Sequence, residues 1–297
     1  MNRGIWSAIG AYTMWGLFPV YFKWLAQVPA LELIGHRIVW SCLMLCVVIV
    51  MTRQWRAFRE HALQLKVIRA YLPAALLITI NWLVYVWAVV SGFIIEASLG
   101  YFINPLISVL MAVILLHERL RQWQWVAVSL AVVGVIYLTV IHGSLPWIAL
   151  ALAFSFGFYG LIKKKSPLGA LFGLTLETGL LLLPAMVYLF ILEGDAVGVF
   201  LHAGTTIDVL LIGCGLVTAL PLLLFSSAAR RIPLALLGVL QYIGPTLQFL
   251  IAILIYHEAF ALNKLIGFAI IWAGLLIFAI EGLMARRAPA ESAAEPL

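Results

Sequence analysis

Ten apolar stretches run through this chain, each close to the roughly 20 residues a helix needs to cross a bilayer. They lie near 4–25, 33–52, 70–91, 95–116 and 123–141, then near 145–162, 169–192, 206–228, 233–256 and 262–281. A chain so built has few ways to fold, because in lipid every backbone N–H and C=O must be satisfied, and a helix does this within its own segment. Of the 297 residues, 65% are hydrophobic and 10% charged, against roughly half and a quarter in soluble domains. Too little polar sequence remains to clothe a globule. The expected fold is an all-α membrane protein of ten transmembrane helices. The first stretch is too long, and too closely followed by others, to read as a cleaved signal peptide.

Basic residues orient such a chain, since Lys and Arg in short loops stay on the cytoplasmic side. With the N-terminus inside, Arg3, Arg53, Arg56, Arg59, Lys66, Arg69, Arg119 and Arg121 all fall inside. So do Lys163, Lys164, Lys165, Arg230, Arg231, Arg286 and Arg287. Of the 18 Lys and Arg, only Lys264 falls in an outer loop, while Lys23 and Arg37 lie within spans. Both termini are then cytoplasmic. This topology accounts for the net charge of +6, so no nucleic-acid partner is expected; the expected partners are the lipid bilayer and a small-molecule solute. The pattern sets no oligomeric state.

A self-match organises the chain. Asn104-Pro105 followed by His117-Glu118 meets Gly244-Pro245 followed by His257-Glu258, and Gly134 meets Gly274 at the same offset of 140. Nearer the N-terminus the phase slips by one, so that Trp15-Gly16-Leu17-Phe18 meets Phe156-Gly157-Phe158-Tyr159 and Lys23 meets Lys164. Two copies of a five-span unit follow, residues 1–140 and 141–285, with a tail over 286–297 expected to be disordered. Five is odd, so the second copy enters the membrane upside down. Inverted repeats related by an axis in the membrane plane are the architecture of many secondary transporters, which bind substrate near the midplane between the halves.

An ionisable side chain inside a span costs about 2.5–3.5 kcal/mol on insertion scales, so it needs a wet cavity or a partner. Arg37 and Glu177 stand out, at equivalent points of spans two and seven. Arg37 can offer a guanidinium fork to a substrate carboxylate, and Glu177 can receive an amine or carry a proton; alternatively each closes a hydrogen-bond network between helices. His36, on another face, reads as a packing residue, and Lys23 as a snorkelling one.

Mid-span proline frees a backbone carbonyl and bends the helix, which is tolerated where the carbonyl lines a cavity or meets a neighbour. Pro105 and Pro245 do this at equivalent positions, with Tyr101 and Asn104 near one and Gln241 and Tyr242 near the other. Asn81 and Tyr85 share a face of span three, and Trp82 beside them can supply a stacking wall. Together these form a candidate polar belt for substrate; singly, each is equally an interhelical hydrogen-bonding group.

Other chemistries lack their motifs. Neither His-Glu pair is a zinc site, because Arg121 and Ala261 stand where the second histidine of H-E-x-x-H belongs; each reads as a helix-end pair, with Glu near the start of the next helix. Cys42, Cys46 and Cys214 read as small packing residues. With no P-loop, no nucleophile elbow and no intramembrane Asp pair, neither an enzyme nor a resident cofactor or metal is expected. A secondary transporter of a small polar or amphipathic metabolite or drug is the leading reading, with a channel-like facilitator or a sensory membrane protein as the alternative.

The chain resembles the EamA branch of the drug/metabolite transporter superfamily. The resemblance rests on the two five-span units, the Glu closing spans four and nine, and Gly134 and Gly274 beyond them. Gly4-Ile5-Trp6, Trp15-Gly16-Leu17-Phe18-Pro19, His36-Arg37, Asn81-Trp82, Gly100-Tyr101-Phe102-Ile103-Asn104-Pro105 and Gln241-Tyr242-Ile243-Gly244-Pro245 look like its RarD subgroup. The resemblance implies a ten-helix inner-membrane permease with a central cavity.

Overall fold

A computed structural model of the chain describes residues 2–91, 94–142, 147–195, 197–255 and 262–287. The described first half holds α1 (Asn2–Gly16), α2 (Phe18–Lys23), α3 (Ala30–Met51), α4 (Trp55–Ala62), α5 (Leu65–Val90), α6 (Ile94–Leu116) and α7 (Gln122–His142). The second holds α8 (Trp147–Lys165), α9 (Ala170–Gly194), α10 (Thr205–Ala229), α11 (Leu234–Leu240), α12 (Ile243–Leu254) and α13 (Leu262–Arg287). Among the described residues, 8 stretches are long and apolar enough to cross a membrane, α6 contributes the shorter apolar run Gly100–Leu116, and α1 with α2 makes a divided first span. Leu183, Phe190, Val209 and Leu276 stand exposed on the outside, where a soluble protein would carry charge and a membrane protein meets lipid. His257, Glu258 and the tail from Ala288 to Leu297 lie outside the described residues.

Much of the packing recurs when the halves are exchanged. Spans two and seven (α3, α9) pack on each other, as do spans five and ten (α7, α13) and spans four and nine (α6, α11). Three further pairs of interfaces are equivalent: α1 on α10 matches α8 on α5, α3 on α10 matches α9 on α5, and α1 on α12 matches α8 on α6. Side chains repeat the pattern. A Cβ on Gly134 would meet the Gly267 carbonyl oxygen at 3.0 Å, and one on Gly274 would meet that of Ala127 at 2.7 Å. A Cβ on Gly16 would strike Leu247, and one on Gly157 its equivalent, Ile107. At Gly134 and Gly274 the backbones of the two halves therefore come close together.

Two spans depart from regular helix. Span one breaks at Leu17, where pairing tightens to Leu17 N–H on the Met14 carbonyl and Val20 N–H on the Leu17 carbonyl. The cause is Pro19, which has no N–H to donate and leaves the Trp15 carbonyl free; the Gln248 side chain of α12 donates to that carbonyl at 3.1 Å. Span nine breaks at Gln241–Tyr242, just before Pro245. There Gly244 N–H takes the Gln241 carbonyl that Pro245 cannot reach. Pro105 behaves differently from its equivalent, because α6 runs through it unbroken; the Tyr242 hydroxyl donates to the Phe102 carbonyl one turn earlier, at 3.2 Å. Of the two prolines expected to bend their helices, Pro245 follows an interruption of span nine and Pro105 sits inside a continuous helix, while the second interruption lies in span one.

The segment after α3, expected as a loop, forms the short helix α4. Phe58 and Ala62 point inward and are buried while Arg56 and Arg59 are exposed, the one-sided pattern of a helix lying along a surface.

Candidate functional site

A cavity of about 270 Å³ opens between the broken spans and α3, α5, α6 and α8. Along span one its lining runs from Tyr12 through Trp15 and Phe18 to Phe22, away from the face that carries the basic loops. It therefore occupies the half of the membrane opposite that face.

Arg37 enters the cavity from α3. Its Nε donates to the Thr218 hydroxyl at 2.9 Å, and its guanidinium lies 4.7 Å from the Trp82 ring centroid, 5.5 Å from Phe22 and 5.9 Å from Phe18. Among the described residues no carboxylate pairs with it. Trp82, Tyr85, Tyr101, Asn104 and Gln241 also line the space, with Tyr85 and Tyr101 in edge contact at 5.9 Å. Asn81 lines it as well, but its amide donates to the Leu152 carbonyl and the Ser155 hydroxyl, both at 2.9 Å, tying α5 to α8. Pro245 lines the cavity, whereas Pro105 and Tyr242 face a small apolar gap with Gly274 and Phe278.

Glu177 is not among the residues lining the cavity. It is buried between α8 and α9, where the Lys163 ammonium donates to it at 2.7 Å and the Tyr159 hydroxyl at 3.2 Å. Lys163, expected in a cytoplasmic loop with Lys164 and Lys165, is 2% exposed and forms the last turn of α8. Arg37 and Glu177 are thus equivalent in the repeat but have separate partners. His36 packs as expected: it accepts from Trp40 Nε1 at 3.2 Å and meets the Phe200 ring. Cys42, Cys46 and Cys214 are free thiols, and no cluster able to hold a metal occurs among the described residues.

Aromatic rings floor the cavity. Tyr12, Trp15, Phe156 and Phe225 pack edge-on or tilted, and Tyr159 stacks on Phe225 at 5.9 Å. Beneath them lies the Lys163–Glu177 pair, and below that, at the basic face, lies a set of polar ties, of which those of Glu118 join the halves. His117 takes a left-handed conformation (φ 55), and Glu118 after it accepts from the Leu234 and Ala235 N–H groups at 2.8 and 3.0 Å. A carboxylate there complements the positive end of α11 and satisfies N–H groups that no helix satisfies internally. Glu118 was expected to serve the start of the next helix; it caps one from the other half. Lys164 joins it, donating to the Ile232 carbonyl at 2.7 Å and lying 3.7 Å from Glu118. Arg230 donates to the Leu168 carbonyl. On the opposite face, buried Glu32 accepts from Val199 N–H at 2.8 Å and Phe200 N–H at 3.2 Å, holding the loop after α9.

Tyr12, Trp15, Phe18, Phe156 and Gln248, which also line the cavity, are not among the solute contacts expected from the sequence. Aromatic residues are 12% of this chain, so their type alone carries no signal; Gln248, a polar group in mid-span three residues after Pro245, did carry one.

A sequence profile of the EamA-like transporter family matches residues 2–140. An "Uncharacterized transporter" of Vibrio cholerae is 46% identical over 97% of this chain and 95% of its own. Protein RarD of Escherichia coli is 42% identical over 96% and 97%, and the "Chloramphenicol-sensitive protein RarD" of Pseudomonas aeruginosa 31% identical over 93% of each. A solved crystal structure superposes with a TM-score of 0.68, at 18% identity, over 92% of this chain and 96% of that one, which shows a shared fold. The cavity between broken spans, the inverted halves and these full-length likenesses agree: the chain is a multi-pass membrane protein and belongs to the EamA-like transporter family, among its RarD-like permeases.

Proposed function

We propose that the protein is a secondary transporter that moves a small polar or amphipathic solute across the bacterial inner membrane by alternating access, with both termini cytoplasmic. One observation carries the reading: a polar, aromatic-lined cavity lies between the halves at two helix breaks, closed toward the basic face by stacked rings, a buried ion pair and the Glu118 cap. Positive charge on the sealed face supports its being cytoplasmic, so this conformation is open outward. Residues facing the cavity, Arg37, Trp82, Tyr85, Tyr101, Asn104 and Gln241, are the proposed solute contacts. Glu177 is proposed as part of the inner closure. The name of the Pseudomonas relative makes chloramphenicol a compound to include among candidate solutes. Exchange in proteoliposomes tests the reading: saturable uptake of a labelled solute, accelerated by the same solute inside, is expected. Flux that rises linearly with concentration and shows no exchange would instead identify a channel.

A further inference from the structure

We infer that the cavity selects a small organic anion, a carboxylate on a flat apolar body, with Arg37 as its anchor. The inference rests on the transporter reading for its site and goes beyond it in naming the class of solute. Arg37 carries five N–H donors in a planar fork, and one of them, on Nε, is committed to Thr218. Trp82 lies against the guanidinium, and among the described residues the two terminal nitrogens have no hydrogen-bond partner; these are the nitrogens with which arginine can bind a carboxylate bidentately. No acid stands among the described lining residues, so a cationic solute would meet an unopposed positive charge. A charged side chain held inside a membrane for structure alone pairs with an opposite charge or with backbone carbonyls; this one hydrogen-bonds a single neutral hydroxyl and otherwise meets rings.

Two further groups point to an occupant. Asn104 is 4% exposed and its Oδ1 has no partner, and the Tyr12 hydroxyl is likewise buried and unpartnered. Both belong to the cavity lining, and a buried polar atom left unpaired costs about 1–3 kcal/mol. An acceptor on Asn104 suits a solute that also carries an N–H or O–H. The walls between these polar points are rings, which favour a flat body.

Matched probes test this in purified protein in lipid nanodiscs. Acetate, phenylacetate and indole-3-acetate are compared with their amides and with methylamine, phenethylamine and tryptamine, using thermal unfolding and calorimetric titration; chloride and phosphate form an inorganic arm. Expected are tightest binding by an aromatic carboxylate, at least tenfold weaker binding of its amide and amine, about tenfold weakening in Arg37→Lys, and loss in Arg37→Gln with little change in unliganded unfolding temperature. The inference is overturned if no carboxylate outbinds its own amide and amine, if Arg37→Gln binds as well as wild type, or if chloride or phosphate competes fully at equal concentration. Proteoliposome flux separates the two readings. A bound carboxylate that is never carried refutes transport and leaves the anion site, whereas carriage of the amines with equal efficiency refutes the anion site and leaves transport.

Discussion

Replacing Lys163 with methionine would leave the Glu177 carboxyl buried beneath the aromatic floor without its counter-ion, and Glu177→Gln would strand the ammonium in the same place. The two side chains are each 2% exposed and 2.7 Å apart. Removing one partner of such a pair costs about 3–5 kcal/mol, whereas replacing both by apolar groups of similar size is often neutral or stabilising. The double variant Lys163→Met/Glu177→Leu gives up one further bond, from the Tyr159 hydroxyl, which is worth about 1–3 kcal/mol if left unmet. The double variant should therefore be more stable than either single one, a favourable coupling on the order of 2–4 kcal/mol. In detergent the single variants should unfold on the order of 10 °C lower than wild type, with the double variant recovering at least half of that. The same proteins reconstituted for flux decide what the pair is for. If it is a part of the closure, the double variant still carries solute; if Glu177 carries protons, the double variant stays inactive despite its recovered stability. Single variants that melt like the double variant would refute the coupling argument.

Glu118→Ala removes two charge-assisted bonds to the start of α11; a loss of about 1–2 kcal/mol in stability is expected from caps of this kind, with Glu118→Gln intermediate, and thermal unfolding reads it. Gly274→Ala drives a Cβ to 2.7 Å from the Ala127 carbonyl oxygen and should destabilise by about 1–3 kcal/mol. Gly282→Ala, in the same helix with open space around it, should be neutral or slightly stabilising; equal melting of the two variants would contradict the close approach of α7 and α13. Glu32→Gln leaves Val199 N–H and Phe200 N–H with a weaker acceptor, so the loop after α9 should be cut faster by protease added from its own face, while an unchanged cleavage rate would show that the loop is held by other contacts.

The apolar runs made the spans legible because helix is the only economical answer for a 20-residue stretch in lipid, and the offset of 140 made the inversion legible because five spans is an odd count. Arg37 was legible as a cation with no reason to be in mid-span. Lys163 was hidden by its neighbours: three consecutive lysines read as a loop, although only the first turns inward, and its partner Glu177 lies in the next helix. The break in span one was signalled by Pro19, but no matching proline stands in the other half, so a reading led by the repeat passed over it. α4 was overlooked although Phe58 and Ala62, four apart among arginines, already describe one buried stripe. The aromatic floor was illegible for a different reason, since which rings meet depends on how two upside-down halves interlock.

The interrupted helices stand on one side of the repeat relation only. Span one is divided and its equivalent α8 is continuous; span nine is divided and its equivalent α6 is continuous. If the halves traded conformations, two interruptions would heal and two would form, so the tally of backbone hydrogen bonds would come out even but for the one that Pro19 cannot make. Such a molecule could turn its opening from one side of the membrane to the other with only that small penalty in its main chain, leaving the balance to be tilted by side chains and by whatever occupies the cavity. Pro19 is the visible weight on that balance: at its slipped offset the other half carries Gly160, which can adopt either shape, while Pro19 keeps span one predisposed to stay open.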